Sequence, residues 1–221
     1  MRKRNGFTLI ELLVVITIIV VLAGLLIPGV IRAMKQAKIN RALSEMQHLA
    51  TVITQIYSEV GYYVRLEDLT KSDNSLIRTW MSGDYVIGQS DNEVATALSS
   101  LLTGNMWNGP YTTYKSYATA TPQAGGGGGS RPIDPWGNPT GLDADKALRQ
   151  YRMFWTTVSS VKPVGASGAM VIISAGGDGV YSCNIAGSKK PSDAVAADFD
   201  DFNPSIDKGD DVYYVFNAGI Q

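Results

Sequence analysis

Residues 6–31 read GFTLIELLVVITIIVVLAGLLIPGVI, and their reading decides the fold. They follow a short basic leader, Arg2, Lys3 and Arg4, and form an apolar run of about 25 residues. At ~1.5 Å per helical residue, such a run crosses a hydrocarbon layer ~30 Å thick. One charge interrupts it, Glu11. A carboxylate deep in a bilayer costs on the order of 2.5–3.5 kcal/mol, so it needs compensation or a function. A plain anchor, with the leader kept in the cytoplasm, accounts for the length but not for the acid. A secretory signal cut near Val21-Leu22-Ala23 accounts for neither, because the apolar run continues past Ala23 and is too long for a signal core.

The stretch Gly6-Phe7-Thr8-Leu9-Ile10-Glu11 resembles the processing site of the type IV pilin and pseudopilin superfamily. The resemblance implies cleavage between Gly6 and Phe7 by a prepilin peptidase and N-methylation of Phe7. It implies a helix that is first a membrane anchor and later the core of a filament. It also supplies a partner for Glu11: the positively charged N-terminus of its own or a neighbouring subunit. An ammonium–carboxylate pair in hydrocarbon is strong and positionally demanding, while either member alone is expensive, so the pair can set the register of one subunit on the next. Phe7, Glu11 and Pro28 are the residues this resemblance assigns to assembly.

The chain has 221 residues and a formal charge of −1. Without the leader it would carry 16 basic and 20 acidic residues, near −4. There is no basic stripe, so nucleic acid is not an expected partner. Cys183 is the only cysteine, which excludes an intramolecular disulfide. His48 is the only histidine, which excludes a histidine-rich zinc site. No nucleophile with a base, phosphate loop or supported acid pair points to an enzyme.

Beyond Ile31, apolar residues recur at helical spacing: Met34, Ile39, Ala42, Leu43, Met46, Leu49, Ile53, Ile56, Tyr57 and Val60. Arg32, Lys35, Lys38 and Arg41 lie between them and suit water, lipid head groups or an acidic neighbour. Gly61 is a natural stop. The spacing predicts one helix from about Phe7 to about Ser58, on the order of 75 Å long, with an amphipathic second half. Pro28, followed by Gly29, predicts a kink or local unwinding. Short helices are expected over Leu76 to Met81 and Val94 to Leu102. The glycine run 125–129 reads as a flexible loop.

Two further stretches carry resemblance. Asp134-Pro135-Trp136-Gly137-Asn138-Pro139 reads as a rigid turn with its Trp on the core, and it resembles a run in the major pseudopilin of type II secretion. Ser174-Ala175-Gly176-Gly177-Asp178-Gly179 is a turn ending in a carboxylate, and Asp198, Asp200, Asp201, Asp207, Asp210 and Asp211 crowd the return. Oxygen-rich loops suit calcium, which takes about six to eight oxygen ligands. This arrangement resembles the calcium loop of major pseudopilins. The resemblance nominates Asp178 first, then Asp210 and Asp211, with the Ala175 carbonyl; Asp200 and Asp201, inside a long insertion over 181–208, are alternatives. A solvated acidic loop is the plain reading.

Strands are expected at Tyr151 to Val161, Ala169 to Ser174 and Val212 to Phe216. The expectation is therefore an α+β, pilin-like chain, its long N-terminal helix packed on a small antiparallel sheet. Residues 1–6 would be a leader, 7–31 the membrane or filament-core helix, 32–60 its amphipathic half and 61–221 the globular part. By resemblance it is a filament subunit most like the major pseudopilin of type II secretion. Its partners would be itself, minor pseudopilins, an inner-membrane assembly platform, the peptidase and, before assembly, lipid. It would cross the inner membrane once, with the C-terminal part in the periplasm. The alternatives are a type IV pilin for adhesion, motility or DNA uptake, reaching the cell surface, and a monomeric membrane-anchored periplasmic binding domain.

Overall fold

The computed structural model describes residues 8–60, 63–64, 66, 69, 79–80, 109–113, 132–137, 149, 151–156, 168–183, 202–204 and 209–216. The expected helix over Val94 to Leu102 and the glycine run 125–129 lie outside the described residues. The chain divides into two compact units, Met1–Lys38 and Ile39–Gln221.

Helix α1 spans Leu9–Val60 and stops just before Gly61. It is unbroken through Pro28, so the local unwinding expected there does not occur. A proline removes only one ladder hydrogen bond, and the adjoining turns hold the helical path. In the first unit the large apolar side chains from Leu9 to Met34 are 46–82 % exposed. Met34, read from spacing as part of the buried stripe, is 61 % exposed.

The second unit contains the core. On α1 the buried stripe is Ala42, Met46, Leu49, Ala50, Val52, Ile53 and Ile56, with Ile39, Leu43 and Tyr57 partly buried. The steps of three and four keep these positions on one face. After the helix, Tyr63–Val64 (β1) pairs antiparallel with Thr79–Trp80 (β2). The helix expected over Leu76 to Met81 is thus corrected at its C-terminal end. A β-branched and an aromatic residue find a strand partner there, and pairing overrides a weak helical pattern.

Arg152–Thr156 (β3), Ala169–Ser174 (β4) and Val212–Phe216 (β5) form an antiparallel sheet in the order β3-β4-β5. All six residues of β4 are buried. One face, with Met153, Met170, Ile172, Val212 and Phe216, joins the α1 stripe in one core. The other face, with Phe154, Val171 and Ile173, packs on Tyr181, Cys183 and Phe202. The alternation follows from the two-residue period of a strand. Phe202 lies edge-on to Phe154 at 5.1 Å and to Tyr213 at 5.5 Å between ring centroids. The Asn203 amide donates to the Cys183 carbonyl at 3.1 Å. Both described ends of the 181–208 insertion therefore seal the back of the sheet.

Polar contacts add to this packing within the second unit. Glu45 accepts from Arg41 Nε at 2.8 Å and from the Tyr151 hydroxyl at 2.7 Å. The Tyr111 hydroxyl donates to Glu59 at 2.7 Å, and His48 Nε2 lies 2.9 Å from Thr112 Oγ1. Burial and the Glu45 carboxylate push the Tyr151 phenol upward, so Tyr151 stays a neutral donor.

Phe202→Ala should lower the unfolding free energy of the detergent-solubilised chain by about 3–5 kcal/mol, the usual cost of deleting a buried aromatic. Urea unfolding measures it. A loss below about 0.5 kcal/mol, as for a surface loop, would contradict a sealing role.

Candidate functional site: the N-terminal carboxylate and the acidic turn

At the start of α1, Thr8 and Glu11 bind each other. The Thr8 amide and hydroxyl both donate to Glu11 Oε2, at 2.8 and 2.7 Å, and the Glu11 amide donates to Thr8 Oγ1 at 3.3 Å. This is a reciprocal cap: two amides that the helix leaves without partners are satisfied by side chains three residues apart. Negative charge also suits a helix N-terminus. The cap was not anticipated, although Thr-x-x-Glu before an apolar run is its sequence signal. Gly6 and Phe7 lie outside the described residues. Pro28 sits on the exposed surface of the helix.

The second cluster joins the two turns that looked separate in sequence. Asp134 is 3 % exposed. Its Oδ1 accepts from the Trp136 and Gly137 amides at 3.0 and 2.8 Å, and its Oδ2 accepts from Ser174 Oγ at 2.6 Å. The Gly176 amide in turn donates to Ser174 Oγ at 3.3 Å. One buried carboxylate thus ties the 134–137 turn to the end of β4. Burial raises its pKa, against the pull of Ser174 and the two amides.

The 174–179 turn is then closed by acids and glycines. Gly176 and Gly179 have φ of +61° and +76°, a region that L side chains rarely adopt. The Gly179 amide donates to the Ala175 carbonyl at 3.1 Å, and the Val180 amide to Asp178 Oδ1 at 2.8 Å. Asp210 Oδ2 accepts from the Gly177 and Asp178 amides at 2.6 and 2.9 Å. Partial desolvation and the facing Asp210 carboxyl hold Asp178 above the ordinary carboxylate range. Asp211, 1 % exposed, turns the other way: its Oδ2 accepts from the Ser182 and Cys183 amides at 2.6 and 3.0 Å. Its Oδ1 is buried and has no protein partner. Burial pushes Asp211 up to about 6.

Of the nominated ligands, Asp178 and Asp210 are brought together. Asp211 is next to them in the chain but directed at the insertion, and the Ala175 carbonyl already holds an amide. Among the described residues no three acidic, histidine or cysteine side chains are grouped to hold a metal. Asp200 and Asp201 lie outside those residues. The donors at the turn are oxygens, two of them on the facing carboxylates of Asp178 and Asp210, which is the chemistry a hard cation uses. Arg149 was not singled out from sequence. Its Nη1 donates to the Gly176 and Gly177 carbonyls at 3.3 and 3.1 Å.

Residues 1–27 match the prokaryotic N-terminal methylation motif. The chain is 28 % identical over 142 residues to the type II secretion system core protein G of Pseudomonas aeruginosa, covering 62 % of this chain and 72 % of that one. It is 37 % identical over 75 residues to the type IV wide pilus major component PilA4 of Thermus thermophilus, covering 34 % and 47 %. It is 41 % identical over 61 residues to the fimbrial protein EcpB of Eikenella corrodens, covering 28 % and 38 %. The chain thus spans less than half the length of the two pilus proteins. No solved structure matches it. The motif, these relatives and the helix-plus-sheet architecture all support the likeness to the type IV pilin and pseudopilin superfamily.

Asp134, Asp178 and Asp211 are all raised on folding, so between the ordinary carboxylate range and about pH 6 the folded chain binds more protons than the unfolded one. Their contribution is fully present at low pH and is lost as pH rises through the folded values, about 6 for Asp211. In chelator the melting temperature should therefore be a few degrees higher at about pH 5 than at about pH 7.5, and Asp211→Asn should flatten the difference. Calorimetry checks it; a higher melting temperature at the higher pH would contradict the assignment.

Proposed function

We infer that this chain is a structural filament subunit of the type II secretion kind, a major pseudopilin rather than an enzyme. The observation that carries the reading is the first unit: an uncovered apolar helix whose single acid is held at its N-terminal end. The most apolar window of α1 has a mean hydropathy of 3.1 and none of it is buried within the chain. Only lipid or other copies of the same helix suit such a surface. The chain is inserted in the inner membrane with its C-terminal part in the periplasm, cut between Gly6 and Phe7 by the prepilin peptidase, and N-methylated at Phe7. Subunits then leave lipid for one another, added by an inner-membrane platform onto a tip of minor pseudopilins. Adding them at the base pushes a short periplasmic filament outward.

Glu11 has the place this mechanism needs. Its carboxylate already accepts from the Thr8 amide, one residue from the amino group that cleavage would create on Phe7. A neighbour's ammonium arriving there meets a carboxylate whose orientation is fixed beforehand, which lowers the entropic cost of the pairing.

The broad match to a secretion-system protein, together with the 134–139 and 174–179 runs, favours a pseudopilus. The shorter, higher-identity matches to pilus proteins favour a surface pilus as the second reading. For the acidic turn the proposal is a calcium ion on Asp178 and Asp210, with Asp211 Oδ1 or the insertion acids Asp200 and Asp201 as further oxygens and the Ala175 carbonyl beside them. When bound, the cation would neutralise carboxylates that otherwise repel.

Glu11→Leu should insert in the membrane and be processed at close to wild-type levels, while sheared filament yield falls about tenfold or more, as expected when one buried charge of a pair is left alone. Immunoblots of membrane and filament fractions measure this. Equal filament yield from the two chains would sink the reading. Filaments that stay periplasmic, with secretion lost on gene deletion, favour the pseudopilus; surface filaments favour the pilus.

A further inference from the structure

The acidic turn already contains a cation, and it belongs to the chain. Arg149 reaches across from the segment before β3, and Nη1 donates to two consecutive carbonyls, Gly176 at 3.3 Å and Gly177 at 3.1 Å. Its own backbone carbonyl accepts from the Asp134 amide at 3.2 Å, so the arginine is anchored by the same turn that Asp134 ties to β4. Gly179 leaves room for it: a Cβ there would fall 2.5 Å from the guanidinium. The guanidinium charge also pulls Asp178 and Asp134 downward against burial. Two carbonyls aimed at one positive group beside a pair of facing carboxylates are what a bound divalent ion would also require.

We propose that Arg149 competes with a divalent cation for this turn, holding it closed in the absence of the ion and weakening the ion's binding. The guanidinium takes the Gly176 and Gly177 carbonyls and stands near the Asp178–Asp210 pair, so an entering ion must displace a positive charge and break two hydrogen bonds. Arg149 is a positioning residue here. The turn then has two closed states, one on the arginine and one on the metal. The competition rests on the calcium reading above.

The test is calorimetric titration of CaCl₂ into the full-length detergent-solubilised chain, with melting measured in chelator, for wild type, Arg149→Gln and Arg149→Lys. Arg149→Gln should bind calcium about tenfold tighter than wild type, because one nearby like charge is gone. In chelator it should melt a few degrees lower, and calcium should restore it. Arg149→Lys keeps the charge without the planar fork and should fall between the two, which preserves the test if Arg149→Gln fails to fold. Unchanged or weaker calcium binding in either variant would overturn the competition, since a merely structural arginine can only lose affinity when removed. If neither wild type nor variants take up calcium, the metal reading fails and the competition fails with it; a wild type that binds calcium beside indifferent variants overturns the competition alone.

Discussion

Everything in the first unit follows from one constraint: a helix of Leu, Ile and Val whose large apolar side chains are exposed among the described residues, bearing one carboxylate. At ~25 cal/mol per Å² of apolar surface, leaving such a helix in water is prohibitive. Lipid and like helices are equally apolar, so transfer between them leaves the hydrophobic term almost unchanged. What distinguishes the two environments is Glu11. In either, its charge needs a partner, and in this chain the partner begins as Thr8. On the filament reading proposed above, a helix that exchanges lipid for neighbours, with an acid that then pairs with a neighbour's ammonium, is suited to reversible polymerisation.

The second unit answers a different problem, that of holding a small three-stranded sheet without a disulfide. The α1 stripe covers one face, and the insertion covers the other with Tyr181, Cys183 and Phe202. The turns at one end of the sheet are then fixed by three carboxylates on backbone amides, two buried (Asp134 and Asp211) and one exposed (Asp210). Asp134 holds its own turn and Ser174, Asp210 holds the Gly177 and Asp178 amides, and Asp211 holds Ser182 and Cys183. Each accepts from groups that would otherwise be orphaned, and the resulting excess of negative charge explains why the Arg149 guanidinium is drawn there.

Most of the fold could be read in advance because it rests on local periodicity. The helix announces itself through apolar spacing and Gly61, and β4 and β5 through their runs of Val, Ile, Tyr and Phe. What could not be read depends on partners distant in sequence. Thr79–Trp80 becomes a strand only because Tyr63–Val64 lies beside it. Phe202 sits among aspartates and looks like loop, yet its ring is wholly buried between Phe154 and Tyr213. The bond from Ser174 to Asp134 crosses 40 residues, so two motifs that seemed independent are one structure. Arg149 gave no signal at all, since a lone basic residue has no periodicity. At Pro28 the unwinding half of the expectation fails, because the remaining ladder holds the helix together.

The account stands on the fate of the bond between Gly6 and Phe7. Intact-mass spectrometry with N-terminal sequencing of the protein recovered from its host's membranes tests this most directly. The prediction is a chain beginning at N-methylated Phe7, its amino group free to meet a neighbour's Glu11. A chain that still begins at Met1 or Arg2 would contradict the filament reading and leave a membrane-anchored periplasmic domain in its place.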